Sequence, residues 1–307
     1  MPDSPPPLSG VLPVFQTPYH ADESIDFETL AREIEWLFEK GADGIVMAMV
    51  SEVLRLSDDE RDQLAKQACH LAEGKGAAII SVGAESNRVA ERHARHAEDC
   101  GATAVMAIPP VSIAVEEREL ADYYRRLLET ISLPVIVQDA SGYVGRPMSI
   151  AFQARLLDEF GPERVLFKPE ASPIGPRLSA LRDATDGKAR VFEGTGGIAL
   201  IDSFQRGIAG TMPGADLIAA IVPLWRALKA GYIDHATRIH EPLAALISLQ
   251  TSLDGFLAVE KHLLIRQGIF RNELVRGPRG FILDEETRSE IDRLFERLMR
   301  AVSEGEE

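Results

Sequence analysis

A lysine stands at the end of a short apolar segment, and it is the residue of this chain best suited to covalent chemistry. The segment Val165-Leu-Phe-Lys-Pro-Glu-Ala171 is typical of a buried strand that ends at Pro169. Burying an ammonium group is costly unless the group is paired or loses its proton. A buried neutral amine is also the nucleophile that forms a Schiff base with a carbonyl substrate. The segment therefore predicts a nucleophilic Lys168, although a lysine that tops a strand and extends to water fits it equally well.

Strands and helices alternate along the first three quarters of the chain. Apolar runs of strand length and helical patterns follow one another eight times between Val11 and Ala230, at about the thirty-residue spacing of a strand–helix–strand unit. Eight units predict a closed (β/α)8 barrel of the α/β class, since an open dinucleotide-binding sheet would show a glycine fingerprint after its first strand. We therefore expect a proline-rich tail over 1–9, the barrel over 10–231, and C-terminal helices over 232–307 that pack on the barrel.

The carboxyl ends of the predicted strands should form the active site, as they do in barrels of this kind. Lys168 ends strand six and so faces the mouth or the interior of the barrel, which disfavours the solvent-exposed interpretation. Asp139, Glu170 and Glu193 are ionisable groups at the same end, and a dry pocket favours the protonated carboxyl that general acid–base work requires. The candidates for substrate binding are Met49, Val50, Ser51, Glu52, Glu170, Glu193, Gly194 and Met212.

Each of these candidates also has a structural interpretation. A single buried carboxylate is more often a hydrogen-bond or ion-pair partner than a catalytic group, and we expect Glu52 to brace its loop. Backbone N–H groups of the Val50–Ser51 turn could bind a carboxylate without help from a side chain. Tyr143 and Arg146 could supply a hydroxyl and a carboxylate anchor, but they fit a loop surface equally well. Apolar side chains form either the floor of the pocket or the barrel core at Met49, Val50 and Met212.

Composition and charge exclude several classes of partner. The 307 residues are 45% apolar and 26% charged, which is ordinary for a globular protein, and the net charge is −15. Nucleic acids and anionic membranes favour basic patches, so neither is expected as a partner. Cys69 and Cys100 do not form a metal motif and no HExxH spacing occurs, so the sequence implies no metal and no cofactor. No apolar run reaches membrane-spanning length and the start has no signal segment, so we expect a cytoplasmic protein.

Short segments of distinctive type follow one another along the chain. They are Thr17-Pro-Tyr19, Ile25-Asp26, Gly41-Ala-Asp-Gly44, Glu52, Leu56-Ser-Asp-Asp-Glu-Arg61, the lysine strand, Phe192-Glu-Gly194 and Gly207-Ile-Ala-Gly210. In type and order they resemble the dihydrodipicolinate synthase / N-acetylneuraminate lyase family, over nearly the whole chain. The resemblance implies a (β/α)8 barrel that forms a homo-oligomer, commonly a tetramer, with a dimer as the other expectation. It also implies class I aldolase chemistry, in which Lys168 forms a Schiff base with pyruvate or a related 2-keto acid.

Two loops depart from the pattern of that family. After strand two the family carries a Gly-Thr-Thr-Gly-Glu type of loop that holds the keto-acid carboxylate and relays a proton, whereas this chain has Ala48-Met-Val-Ser-Glu52. At the end of strand five a Tyr-Asn-x-Pro motif supplies a tyrosine acid–base, and the matching residues here are Gln138-Asp-Ala-Ser141. An amide such as Gln138 does not transfer protons at neutral pH, so a neighbour such as Asp139 has to do so. The strand-four aromatic residue is also missing, and a proline is inserted after Lys168.

The sequence thus predicts a Schiff-base lyase of the aldolase or dehydratase type that acts on pyruvate or another 2-keto acid. The predicted catalytic residues are Lys168, Asp139 and Gln138. Loss of the threonine–tyrosine relay argues against dihydrodipicolinate synthase activity itself and favours a sugar-acid dehydratase or a hydratase-aldolase. Two alternatives remain open: a barrel that binds a keto acid without chemistry, and an enzyme that uses Lys168 only as a charge.

Overall fold

Eight short parallel strands surround a common axis in the computed structural model, which describes residues 7–141 and 146–304. Each strand is followed by a helix, as the alternation of apolar runs and helical patterns predicts. The strands are β1 Gly10–Val11, β2 Gly44–Met47, β3 Ala77–Ser81, β4 Ala104–Ala107, β5 Val135–Asp139, β6 Val165–Pro169, β7 Phe192–Glu193 and β8 Gly210–Thr211.

The strands close into a ring. Strands β2 to β6 pair in sequence order, and β8 pairs with both β7 and β1. Val14 bridges to Val46 on one side and to Gly214 on the other, and Phe167 bridges to Val191, so these contacts join the two sets of strands. The predicted (β/α)8 barrel is therefore confirmed.

The helices begin where the sequence signals place them. Asp26 accepts a hydrogen bond from the Thr29 N–H, and Ser57 and Glu60 form the predicted capping box. The barrel helices are α1 Phe27–Glu39, α2 Asp58–Ala72, α3 Asn87–Asp99, α4 Glu117–Thr130, α5 Ile150–Phe160, α6 Ile174–Ala184, α7 Leu200–Gln205 and α8 Ile218–Ala230. Three more follow, namely α9 Ile233–Ile247, α10 Leu253–Arg266 and α11 Glu285–Ser303.

The last three helices pack against the barrel at different places. Helix α9 lies against α7, α8 and α11, whereas α10 contacts the short 3-10 turn Met49–Ser51 that follows β2. In the described residues, no helix combines the length and the apolar character needed to cross a bilayer. Helix α10 is therefore the C-terminal element that approaches the carboxyl ends of the strands.

The first strand is shorter than its apolar run. The run Val11–Pro18 predicts a longer strand than the observed Gly10–Val11. Pro13 has no N–H to donate to a neighbouring strand, which interrupts the ladder. Beyond it, the Val14 N–H donates to the Pro213 carbonyl at 2.7 Å, and Phe15 donates to Val46 at 3.1 Å. The segment therefore stays in the wall of the barrel although it is not a regular strand.

Alternation along the strands decides which side chains enter the barrel. In β6, Leu166 belongs to the apolar cluster inside the ring, whereas Val165 and Phe167 belong to the cluster between the ring and the helices. Because successive side chains of a strand point to opposite faces, Lys168 points inward above Leu166. The same rule puts Gln138 inside the ring above Ile136.

A buried ion pair ties α10 to the loop after β2. The Lys261 ammonium lies 2.5 Å from Glu52 Oε1, and it also donates to the carbonyls of Thr17 at 2.9 Å and Leu274 at 2.7 Å. Burial lowers the pKa of Lys261, and the charge of Glu52 opposes this shift. The ammonium also lies 4.8 Å from the centre of the Tyr19 ring, a cation–π distance. The three donor bonds satisfy the ammonium where water is excluded.

We expect Lys261→Met to destabilise the fold by about 3–5 kcal/mol, because it removes the nearest partner of the buried Glu52 charge and leaves the more distant Arg55 at 3.7 Å. The measurement is the urea midpoint of unfolding followed by circular dichroism. Lys188→Met is the matched control, since Lys188 is exposed and its ion pair with Asp186 is 4.0 Å long. Its midpoint should match that of the unsubstituted chain, and an equal loss in both variants would contradict the role of the buried pair.

Candidate active site

A cavity opens at the carboxyl ends of the strands, with Lys168 in its wall. It encloses about 430 Å³ of empty space, part of which is open to solvent. Its polar side chains are Gln138, Lys168, Glu170 and Glu260, and its larger apolar ones are Met49, Val50, Met212, Leu253 and Phe256.

Lys168 is paired with a carboxyl group inside this cavity. Only 5% of its side chain is exposed, and its Nζ lies 3.1 Å from Glu170 Oε1. The amine therefore does not extend to bulk water, and the solvent-exposed interpretation of the lysine does not hold. Both groups are nearly dry, so a proton can pass directly between them without an intervening water.

Glu170 is held in place by the neighbouring strand. Gln138 lies opposite Lys168 in the ladder between β5 and β6, and its amide Nε2 donates to Glu170 Oε2 at 2.8 Å. The Glu170 N–H donates to the Asp139 carbonyl at 2.9 Å. Burial raises the pKa of Glu170, while the charge of Lys168 and the bond from Gln138 oppose the shift. Gln138 thus orients the carboxyl and favours its ionised form.

A glycine makes the close approach of these groups possible. A Cβ at Gly194 would lie 2.7 Å from Lys168 Cε and 2.8 Å from Glu170 Oε1. Any larger residue would displace the lysine or the carboxyl. The predicted binding residue Gly194 therefore lines the site through its lack of a side chain.

Two predicted site residues point away from the cavity. Asp139 follows Gln138 on β5 and faces outward, where its carboxylate accepts from the Met148 N–H at 2.9 Å and the Ser141 N–H at 3.2 Å. Glu193 precedes Gly194 and accepts from the Thr195 N–H at 2.6 Å, from the Thr195 hydroxyl, and from the Thr211 hydroxyl at 2.8 Å. The structure does not bring either carboxylate to the amine.

Their position follows from the two-residue period of a strand. Each of these acids stands next to an inward-facing residue, so its own side chain points to the helices. Asp139 braces the loop after β5, together with Arg177 at 3.6 Å, and Glu193 links β7 to β8. Glu193 still acts on the site through its charge, which contributes to raising the pKa of Glu170.

Some residues of the turn after β2 line the cavity, whereas others stabilise the fold. Met49 and Val50 line the cavity, and so does the predicted Met212. The Ser51 hydroxyl donates to the Phe15 carbonyl at 2.6 Å, and Glu52 pairs with the buried lysine of α10. The Ser51 N–H donates to the Ala48 carbonyl at 3.0 Å, so of the two predicted N–H groups only that of Val50 stays a candidate for binding a carboxylate.

Two residues of the loop after β5 were predicted as possible binding residues. Tyr143 lies outside the described residues, and Arg146 is exposed. Within 7–141 and 146–304, no group of three or more His, Cys, Asp or Glu side chains is arranged to hold a metal ion.

Glu260 on α10 is a lining residue that the strand-end argument missed. Its carboxyl accepts a hydrogen bond from the Gln16 amide Nε2, which belongs to the segment after β1. The signal in the sequence was the pair Glu260-Lys261 inside an otherwise apolar helical stretch, since charged residues are rarely buried without a partner. Of the three predicted acids only Glu170 lines the cavity, and Glu260 is added to it as a second acid that could act on a ligand.

Comparison with known proteins identifies the family. The model of the dihydrodipicolinate synthetase family matches residues 7–297. The chain is 28% identical over 297 residues to L-2-keto-3-deoxyarabonate dehydratase of Azospirillum brasilense, with 94% of both chains covered. It is 29% identical over 150 residues to the protein named "Probable 2-dehydro-3-deoxy-D-pentonate aldolase YjhH" of Escherichia coli strain K12, which is 48% of this chain and 50% of that protein.

A solved structure agrees with this result. Dihydrodipicolinate synthase from Rhodopseudomonas palustris superposes with a TM-score of 0.84 at 26% identity, covering 95% of this chain and 98% of that chain. The resemblance predicted from the short segments is confirmed, and the chain belongs to the dihydrodipicolinate synthetase family.

Proposed function

We propose that this protein is a lyase that forms a Schiff base between Lys168 and the C2 carbonyl of a 2-keto acid. The observation that carries the proposal is the buried amine 3.1 Å from a carboxyl group whose pKa is raised. Such a pair supplies both the nucleophile and the acid–base that imine formation needs. Relatives named as a dehydratase and an aldolase of 2-keto-3-deoxy sugar acids support pyruvate or a sugar-derived 2-keto acid as the substrate class.

The first step makes the amine neutral. The Lys168 ammonium passes a proton to Glu170 Oε1, and the free amine attacks C2 of the substrate. A C–N bond forms while the carbonyl π electrons move to the oxygen, and a proton then passes from the nitrogen to that oxygen, which gives a neutral carbinolamine. Glu170 then returns its proton to the carbinolamine hydroxyl, which leaves as water and yields the iminium. Glu170 ends this sequence as a carboxylate.

The iminium then acts as an electron sink for the lyase step. It withdraws electrons from C3, so Glu170 can remove a proton there and leave an enamine. In a dehydration, the enamine electrons expel the C4 hydroxyl, and the proton on Glu170 accompanies it as water. Gln138 takes no part in these transfers, since its amide does not titrate, and it serves to hold Glu170 in line.

Borohydride trapping tests the covalent step. We expect the protein to gain the mass of one reduced keto acid when pyruvate or a 2-keto-3-deoxy sugar acid and borohydride are added together. Lys168→Ala should gain none, and Lys188→Ala, which removes an exposed lysine, should behave like the unsubstituted chain. The readout is intact mass.

The rival functions give different outcomes in the same experiment. Calorimetric binding of a keto acid without adduct or turnover would indicate a barrel that binds without chemistry. Partial activity in Lys168→Arg would indicate that the lysine acts only as a charge, because a guanidinium does not form a Schiff base. An adduct that persists in Lys168→Ala would also contradict the proposal.

The pH dependence of adduct formation tests the role of Gln138. Its bond favours the ionised form of Glu170, so Gln138→Leu should raise the pKa of Glu170 further. Since Glu170 must be ionised to accept the proton, the acid limb of the pH profile of adduct formation should move to higher pH. Gln63→Leu, an exposed glutamine on α2, is the control. An unchanged acid limb in Gln138→Leu would contradict the positioning role.

A further inference from the structure

Three buried carboxyl groups from different elements meet beside the cavity. Glu260 lies on α10, Asp216 follows β8, and Glu33 lies on α1. All three are almost inaccessible to solvent. Nothing in the Schiff-base sequence above uses them, although Glu260 lines the same cavity as Lys168.

Shared neighbours connect the three groups. The Gln16 side-chain amide donates to Glu260 Oε2, and the Gln16 backbone N–H donates to Glu33 Oε1 at 2.9 Å. A Cβ added at Gly214, which lines the cavity, would lie 2.5 Å from Glu260 Oε1 and 2.8 Å from Asp216 Oδ1. The two oxygens therefore approach the same point at the cavity wall.

Several polar atoms of this cluster have no hydrogen-bond partner. They are Gln16 Oε1, Glu33 Oε2 and Asp216 Oδ2, each on a side chain that is more than nine-tenths buried. Buried polar atoms usually have partners, and a missing partner indicates a proton, a water or a ligand. Because the Gln16 amide already contacts Glu260, its unpartnered oxygen belongs to the same cluster.

Charge balance requires protons in this cluster. Burial raises the pKa of Asp216 to about 7, and burial and then repulsion by Asp216 raise the pKa of Glu260 well above its ordinary value. Burial likewise raises the pKa of Glu33. The charge of Lys261 opposes the shifts of Glu33 and Glu260, but its ammonium is bonded to Glu52 and to two carbonyls. The nearby charge of Arg55 contributes to lowering the pKa of Lys261.

An anionic substrate favours a neutral carboxyl group at this wall of the cavity. A 2-keto acid is an anion, and no arginine is among the described residues that line the cavity. Ionised Glu260 would repel the substrate carboxylate, whereas protonated Glu260 can donate a hydrogen bond to it. Glu170 is bonded to the amine and to Gln138, which leaves Glu260, bonded to Gln16 through Oε2, as the other lining acid that can serve this purpose.

We propose that Glu260 is a substrate-binding residue whose protonated carboxyl donates a hydrogen bond to the carboxylate of the 2-keto acid held at Lys168. Gln16, Asp216 and Glu33 are positioning residues that keep the proton in the cluster. This inference rests on the proposed Schiff-base function and names the group that takes over the binding of the carboxylate from the hydroxyls that are absent after β2.

The sign of the pH dependence follows from the cluster. Because burial raises the pKa of both Asp216 and Glu260, lower pH favours their protonated forms, in which pyruvate meets a neutral donor. As pH rises through the pKa of Asp216, negative charge enters the cluster, and the apparent affinity for pyruvate should fall. Lys168 and Glu170 line the same cavity and also contribute to the pH dependence of pyruvate affinity. Both residues are unchanged in every variant compared, so their contribution is the same in each.

The experiment measures the pyruvate concentration that half-saturates borohydride trapping, between pH 6 and pH 8.5. Glu260→Gln keeps a donor without an ionisable group, so it should retain binding and lose the part of the pH dependence that arises from the cluster. Glu260→Leu removes the donor and should weaken pyruvate by about tenfold or more at pH 6. Asp216→Asn should bind normally at pH 6 and lose less affinity than the unsubstituted chain at pH 8.5.

Controls separate this inference from the proposed function. Glu241→Leu, on the exposed side of α9, should match the unsubstituted chain, and circular dichroism checks that each variant is folded. If the unsubstituted chain and both Glu260 variants trap pyruvate with the same half-saturation and pH profile, the inference is wrong and the Schiff-base function stands. If the unsubstituted chain forms no adduct with any 2-keto acid, both are overturned.

Discussion

An ammonium group and a carboxylate face each other 3.1 Å apart, both almost inaccessible to solvent, and the rest of the site is arranged to tolerate that pair. Two such charges are costly to bury, and their attraction repays the cost only when the remaining atoms are satisfied. Gln138 supplies a hydrogen bond to Glu170, and Gly194 leaves the space in which lysine and carboxyl can meet. The closed barrel fixes the positions of Gln138 and Lys168, because the register between β5 and β6 places them directly opposite each other.

The C-terminal helices complete this arrangement from outside the ring. Lys261 on α10 bonds Glu52 and so holds the loop that carries Met49 and Val50 against the cavity. The adjacent residue on the same helix, Glu260, enters the cavity wall. One turn of α10 therefore both fixes a loop and places a carboxyl group in the cavity wall. This links the stability of the C-terminal segment to the geometry around Lys168.

Much of the fold could be predicted from local patterns, since each apolar run and each cap is determined by nearby residues. The capping residues Asp26 and Ser57 and the strand ending at Pro169 are examples. The site was harder to predict, because a strand places only every second residue inside the ring. The predicted site residues include the adjacent pairs Gln138-Asp139 and Glu193-Gly194, although only one residue of each pair lines the cavity. Glu260 comes from a helix that is distant in sequence, and no strand-end rule predicts it.

Locating the covalent bond tests whether Lys168 is the nucleophile. The chain trapped with pyruvate and borohydride can be digested with trypsin and mapped by tandem mass spectrometry. Because trypsin does not cut before Pro169, Lys168 lies in the peptide from Val165 to Arg177. We expect the reduced keto acid on Lys168 in that peptide. A modification on another lysine, such as Lys261, or an unmodified peptide after complete reaction, would contradict the account.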